Sequence, residues 1–206
     1  RDSEAWDWWT QFLADRGYVV IQPNYRGSSG YGTEFEKKGQ GQWGLAMQDD
    51  LDDAIKAGAD LGIADPSRVC MVGASYGGYA AVRAAHRDGS KYRGAVSYAG
   101  VSDLNGMHKH TRSFLGGGAR GDWLREQAPD LKNVSPLNFP ADFSIPMLLV
   151  HGEKDRVVPL VHSKVMAQRL KSAGKDVTYI VQPEADHYFS RSEDRVEFLK
   201  ALEASL

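Results

Sequence analysis

Five residues, Gly73-Ala74-Ser75-Tyr76-Gly77, follow directly on the apolar run 69–72 and open a stretch of small residues that includes Ala80, Ala81, Ala84 and Ala85. A glycine-x-serine-x-glycine sequence between an apolar run and a helical stretch implies a strand, a sharp turn and a helix, with the serine at the tip. The turn strains the serine backbone, so both flanking positions are expected to be glycine to avoid clashes with the sheet. The helix behind the turn aims its first N–H groups at the point where negative charge develops on a reacting carbonyl. Ser75 is therefore the candidate nucleophile, and a chain built around such an elbow needs a mostly parallel sheet covered by helices.

A serine hydroxyl is a poor nucleophile without a base, and the base needs an acid to orient it. On this kind of elbow the order along the chain is serine, acid, histidine. The apolar run 147–150 reads as a buried strand, and His151-Gly152-Glu153-Lys154-Asp155 leaves its end. Asp155 is the expected acid; Glu153 competes but lies nearer the strand. Residues 177–181 form one more strand, followed by Pro183-Glu184-Ala185-Asp186-His187, which makes His187 the expected base. Asp186 adjoins it, but adjacent side chains rarely align as base and orienter, so a solvated loop carboxylate is expected there. His86 and His162 fall on helices, His108 and His110 in a polar, glycine-rich excursion, and His151 at a strand end, where backbone hydrogen bonding is the ordinary role. None has a second ligand at metal spacing, so neither a metal site nor a cofactor is expected.

The remaining chain reads as alternating helices and strands without repeats or linkers. Helices are expected at residues 3–15, 45–61, 160–173 and 192–204, and strands at 18–22, 68–72, 94–99, 147–150 and 177–181. Residues 101–143 form an excursion near the site with one helix at about 123–127. All 206 residues are read as one α/β domain. The aspartates at 49, 50, 52 and 53 are expected to form a solvated helix face, and the tryptophans to pack in the core or at an interface. A net charge of −2 supplies no field for nucleic acid or an anionic membrane. No apolar run approaches the ~20 residues of a membrane span. A soluble chain is expected; the cytoplasm is favoured over the periplasm or secretion, although the single Cys70 fixes no compartment.

Several stretches together resemble the catalytic domain of the prolyl oligopeptidase family of serine peptidases. They are Gly17-Tyr18-Val19-Val20, the segment from Pro23 to Gly32 (Pro-Asn-Tyr-Arg-Gly-Ser-Ser-Gly-Tyr-Gly), the elbow extended to Gly78-Tyr79, Ser135-Pro136, His151 to Asp155, Val158-Pro159 and the loop carrying His187. The resemblance implies an α/β-hydrolase fold, a triad of Ser75, Asp155 and His187, and an oxyanion donor at the backbone N–H of Tyr76. Arg26 and Tyr31, in a loop near the active edge, become candidate substrate contacts. Two departures bear on specificity. Members that cleave after proline or trim dipeptides often carry Arg or Asn where this chain has Val157, with Arg156 one position early. They also crowd aromatics where this chain has Met107 among polar residues, so no strong proline preference is expected.

The expected function is hydrolysis of short peptides through an acyl-enzyme, in the manner of acylaminoacyl or dipeptidyl peptidases. The alternatives are a carboxylesterase of the same fold and a catalytically silent fragment. In this fold a further strand lies between those at 18–22 and 68–72, and its following loop helps to build the oxyanion hole. The family also places a β-propeller upstream. Neither has a counterpart in this sequence, so an upstream segment, a partner chain or a homo-oligomer is expected to fill the gap.

Overall fold

The computed structural model describes residues 1–3, 5–114, 116–128 and 130–206. Glu4, in the expected first helix, and Leu115 and Pro129, in the expected excursion, lie outside them. The chain forms two units, residues 1–66 with 126–129 and residues 67–125 with 130–206.

In the smaller unit, helix α1 (Trp8–Asp15) starts later than the apolar spacing predicts, because Asp7 accepts the Trp9 N–H at 3.2 Å and so sets the first turn. It stops at Gly17, where φ is 84°; the N–H groups of Gly17 and Tyr18 return to the Ala14 and Leu13 carbonyls. The expected strand at 18–22 is not formed. The stretch carries no ladder, and Val19 stands 58% exposed. Apolar alternation gives a chain the capacity to pair, but an extended segment becomes a strand only beside a neighbour that satisfies its backbone. Helix α2 (Thr33–Lys37) is one short turn with no sequence forecast, whereas α3 (Ala46–Asp60) falls within the expected 45–61. Trp6 is 78% exposed, so core packing does not account for it.

The larger unit is a four-stranded parallel sheet in the order β1 (Cys70–Ala74), β2 (Gly94–Tyr98), β3 (Met147–Gly152), β4 (Val177–Gln182). Its helices are α4 (Tyr76–Arg87), α5 (Leu104–Arg112), α6 (Gly117–Gln127, whose last two residues fall in the smaller unit), α7 (Val161–Ser172) and α8 (Ser192–Ser205). Strand side chains alternate between faces. Ala95, Met147 and Leu149 meet Ala81, Val82 and Ala85 of α4 and Met166 and Leu170 of α7 on one face. Tyr98, of opposite parity, meets Phe198 of α8 edge-on, with ring centroids 5.7 Å apart. Helices therefore cover both faces. Leu170, Leu202 and Phe198 are fully buried, and each such side chain contributes roughly 1.5–3 kcal/mol of hydrophobic stabilisation.

Among the described residues, the excursion at 101–143 holds two α-helices, not the single helix expected. Helix α5 was hidden because Gly106 and a run of histidines have poor helix propensity. Its start is fixed by tertiary contact: buried Ser135 accepts the Leu104 N–H through Oγ at 2.8 Å and donates to the Leu131 carbonyl. No described helix is long and apolar enough to cross a membrane.

Candidate active site

The carboxyl ends of β1, β3 and β4 deliver the three expected reactive residues. Ser75 sits between β1 and α4 at φ 55°, ψ −116°, one of three non-glycine residues with positive φ among the described residues. Its N–H donates to the Tyr98 carbonyl at 3.0 Å, which ties the turn to β2. The glycine requirement differs from expectation in detail. A Cβ on Gly73 would lie 2.3 Å from the Gly77 backbone, whereas a Cβ on Gly77 would meet nothing. The tight second position is Gly78, where a Cβ would fall 2.7 Å from Gly100 Cα and 2.8 Å from Ser97 Oγ. Helix α4 thus rests directly on the end of β2, and Tyr76 opens that helix, with its N–H in the first turn.

Asp155 leaves the end of β3 with a fully buried side chain. Its Oδ2 lies 2.7 Å from His187 Nδ1, and its Oδ1 accepts the N–H groups of Val157 and Val158 at 2.8 and 2.9 Å. Burial opposes the charged form, but hydrogen bonds from His151, His187 and the two backbone N–H groups outweigh it and hold this carboxyl below the ordinary carboxylate range. The Asp155 carboxylate therefore fixes the His187 tautomer, with hydrogen on Nδ1 and Nε2 left as the basic nitrogen. Among the described residues Ser75 Oγ and His187 are not hydrogen-bonded to each other. Such bonds are often long in substrate-free hydrolases and tighten on binding.

Among the described residues, neither competing acid is bonded to the His187 imidazole, which pairs with Asp155. Asp186 accepts from the N–H groups of Tyr188 and Ser190 and from Ser190 Oγ, so it braces its own loop and is not merely solvated. Glu153 is exposed, and its N–H pairs with the Gln182 carbonyl.

The substrate-contact candidates separate into distinct environments. The Arg26 guanidinium makes two hydrogen bonds to Asp50, at 2.8 and 2.6 Å, and Asp50 also accepts the Arg26 N–H. Asp50 is thus a turn anchor and not part of a solvated acidic face. Tyr31 is half exposed, edge-on to Phe35 and beneath the Arg1 guanidinium. Met107 is half-buried on α5, and Val157 contributes its backbone to Asp155.

Two residues at the site had no role in the sequence reading beyond ordinary packing or backbone bonding. His151 is fully buried; its Nδ1 faces Ser163 Oγ at 2.7 Å and its Nε2 lies 2.9 Å from the Val158 carbonyl and 3.3 Å from Asp155 Oδ2. Tyr98 is the other, at the carboxyl end of β2. Position at that end of a parallel strand, where sites in open α/β sheets are built, was the available signal. Among the described residues no group of three His, Cys, Asp or Glu side chains could hold a metal ion.

An elbow serine, a buried acid and a histidine over the carboxyl edge of a helix-covered parallel sheet define the α/β-hydrolase class. Solved structures agree with it. The Pyrococcus horikoshii acylaminoacyl peptidase superposes with a TM-score of 0.83 at 26% identity, covering 96% of this chain and 34% of that one. A Mycobacterium tuberculosis puromycin-hydrolyzing peptidase superposes with a TM-score of 0.78 at 31% identity, covering 88% of this chain and 28% of that one. Residues 4–204 match the model of the prolyl oligopeptidase family, and the chain belongs to that family of serine peptidases. The dipeptidyl aminopeptidase BIII of Pseudoxanthomonas mexicana is 31% identical over the whole of this chain, which spans 31% of that relative's length.

Proposed function

We propose that this chain carries the catalytic apparatus of a serine peptidase acting on short peptides, of the acylaminoacyl or dipeptidyl peptidase kind. The observation that carries the reading is the 2.7 Å contact between His187 Nδ1 and buried Asp155, made on the sheet edge where Ser75 is held at φ 55°. The names of the similar proteins, a dipeptidyl aminopeptidase and an acylaminoacyl peptidase, support the substrate class.

Ser75 Oγ attacks the scissile carbonyl carbon while His187 Nε2 takes the hydroxyl proton. Negative charge gathers on the carbonyl oxygen, where the Tyr76 N–H stabilises it. The C–N bond then breaks, His187 returns its proton to the leaving amine, and an ester to Ser75 remains. Water, deprotonated by His187, attacks that ester; Ser75 leaves with the proton, and the acid product departs. Asp155 stays ionised throughout and stabilises the imidazolium.

The departures at Met107 and Val157 support an enzyme without strong proline preference. The expected further strand would dock on the edge of β1 away from β2, and turnover by these 206 residues alone is expected to be weak. The direct test is labelling of the full-length polypeptide by a fluorophosphonate, with peptide anilides compared against p-nitrophenyl esters. Ser75→Ala should abolish labelling and anilide hydrolysis while leaving the thermal midpoint nearly unchanged. Absence of labelling in the unsubstituted protein would remove the hydrolase reading, and ester-only turnover would replace the peptidase with an esterase.

A further inference from the structure

Tyr98 touches both halves of the site. It is completely buried as the last residue of β2, and its carbonyl accepts the Ser75 N–H at 3.0 Å. Its ring crosses to the histidine loop and stacks on Phe189, with centroids 3.7 Å apart and planes 23° from parallel. Its hydroxyl donates to the Asp186 carbonyl. The two residues it grips, Asp186 and Phe189, bracket His187.

The loop needs such a grip. Phe189 has φ 53°, a conformation that bulky side chains adopt only when their surroundings impose it. The stack on Tyr98 is one restraint, and Arg195, which donates to the Phe189 carbonyl at 2.7 Å, is another. Asp155 holds His187 through Nδ1 and the Tyr188 ring meets it edge-on, but a single hydrogen bond does not by itself set the angle at which Nε2 faces Ser75. Clamping the backbone on either side of the histidine fixes the point from which the side chain extends and so narrows that angle. Because the clamp starts from the residue whose carbonyl holds Ser75, nucleophile and base share one reference point.

We propose that Tyr98 is a positioning residue that sets the His187 imidazole against Ser75. The proposal rests on the reading of Ser75 and His187 as nucleophile and base. The hydroxyl is the separable part: Tyr98→Phe keeps the ring on Phe189 and removes only the bond to Asp186.

The experiment uses the full-length polypeptide and counts active sites by fluorophosphonate titration, so that turnover is expressed per competent site. Tyr98→Phe is expected to lower kcat per titrated site about tenfold, since small misplacements of a catalytic group carry costs of that order. KM should stay within about twofold, because no substrate contact is removed. Phe189→Ala, which removes the stack and leaves the hydroxyl, should lower kcat per site in the same manner. A merely structural role would reduce the number of titratable sites or the thermal midpoint and leave kcat per site unchanged. That outcome in Tyr98→Phe overturns the proposal. If the unsubstituted protein takes no label, it is the underlying hydrolase reading that fails.

Discussion

Ser75 carries its strain without any substrate, since φ 55° disfavours an L side chain and is imposed by the turn. His162 shows a different constraint, imposed by protonation. It is buried on α7, with Nδ1 facing the N–H groups of Ser102 and Asp103, each at 3.4 Å. An imidazole facing two donors must be neutral there. Burial pushes its pKa down to about 4, with Asp103, His151, His110 and Asp155 as the nearby titratable groups. His86 is likewise pushed down to about 4, by burial and then by Arg83. In the unfolded chain both histidines titrate at about 6.5. Between those values the unfolded state binds more protons, so stability falls as the pH drops from about 6.5 towards 4. The thermal midpoint should therefore decline across that window, and His162→Gln should flatten the decline, with His86 and, below about pH 5, the lowered Asp155 carboxyl supplying the remainder. An unchanged slope in His162→Gln would sink the assignment. The elbow turn at Ser75 and the Asp155–His187 pair were legible in the sequence because a motif and chain order place those residues. The Arg26–Asp50 pair and the Tyr98 clamp could not, because they join residues that only the fold brings together.

Among the elements, the strands of the larger unit were legible to within two residues, because each is an apolar run ended by glycine, proline or a polar turn. Helix α5 was not, and its dependence on Ser135 explains why: a side chain 31 positions away supplies what local propensity lacks. Ser135 is fully buried and bonded on both sides, to the Leu104 N–H and the Leu131 carbonyl. Replacing it with alanine strands both partners away from water, at a cost of roughly 1–3 kcal/mol for each buried polar group left unpaired. Ser135→Ala should lower the thermal midpoint by several degrees and speed hydrogen exchange at the start of α5. A change smaller than about 0.5 kcal/mol, the scale of ordinary surface substitutions, would show that α5 is held by something else.

Across the whole molecule, alternating helices and strands announced a parallel sheet, but alternation cannot report whether a strand has a neighbour. Residues 18–22 have the pattern and no ladder, with Tyr18 and Val19 exposed at 44% and 58%. In the sheet itself, β2 and β3 pair on both sides, while β1 and β4 each pair on one. Successive N–H groups of a parallel strand point alternately to its two sides, so about half of those in β1 face an edge without a ladder. Such an edge is a template for a further strand, and it belongs to β1, the strand that leads into Ser75. Hydrogen exchange on the 206-residue chain measures this directly. Amides of β2 and β3 should exchange slowest, and the outward amides of β1 at least about tenfold faster, as expected where backbone bonds open to solvent. Supplying the strand that completes the sheet should bring β1 to the protection of β2 and raise the rate of fluorophosphonate labelling at Ser75 together with it. Uniform protection of β1 and β2 in the isolated chain would mean that the outer edge is already covered in solution, and the expectation of weak turnover would then lose its physical basis.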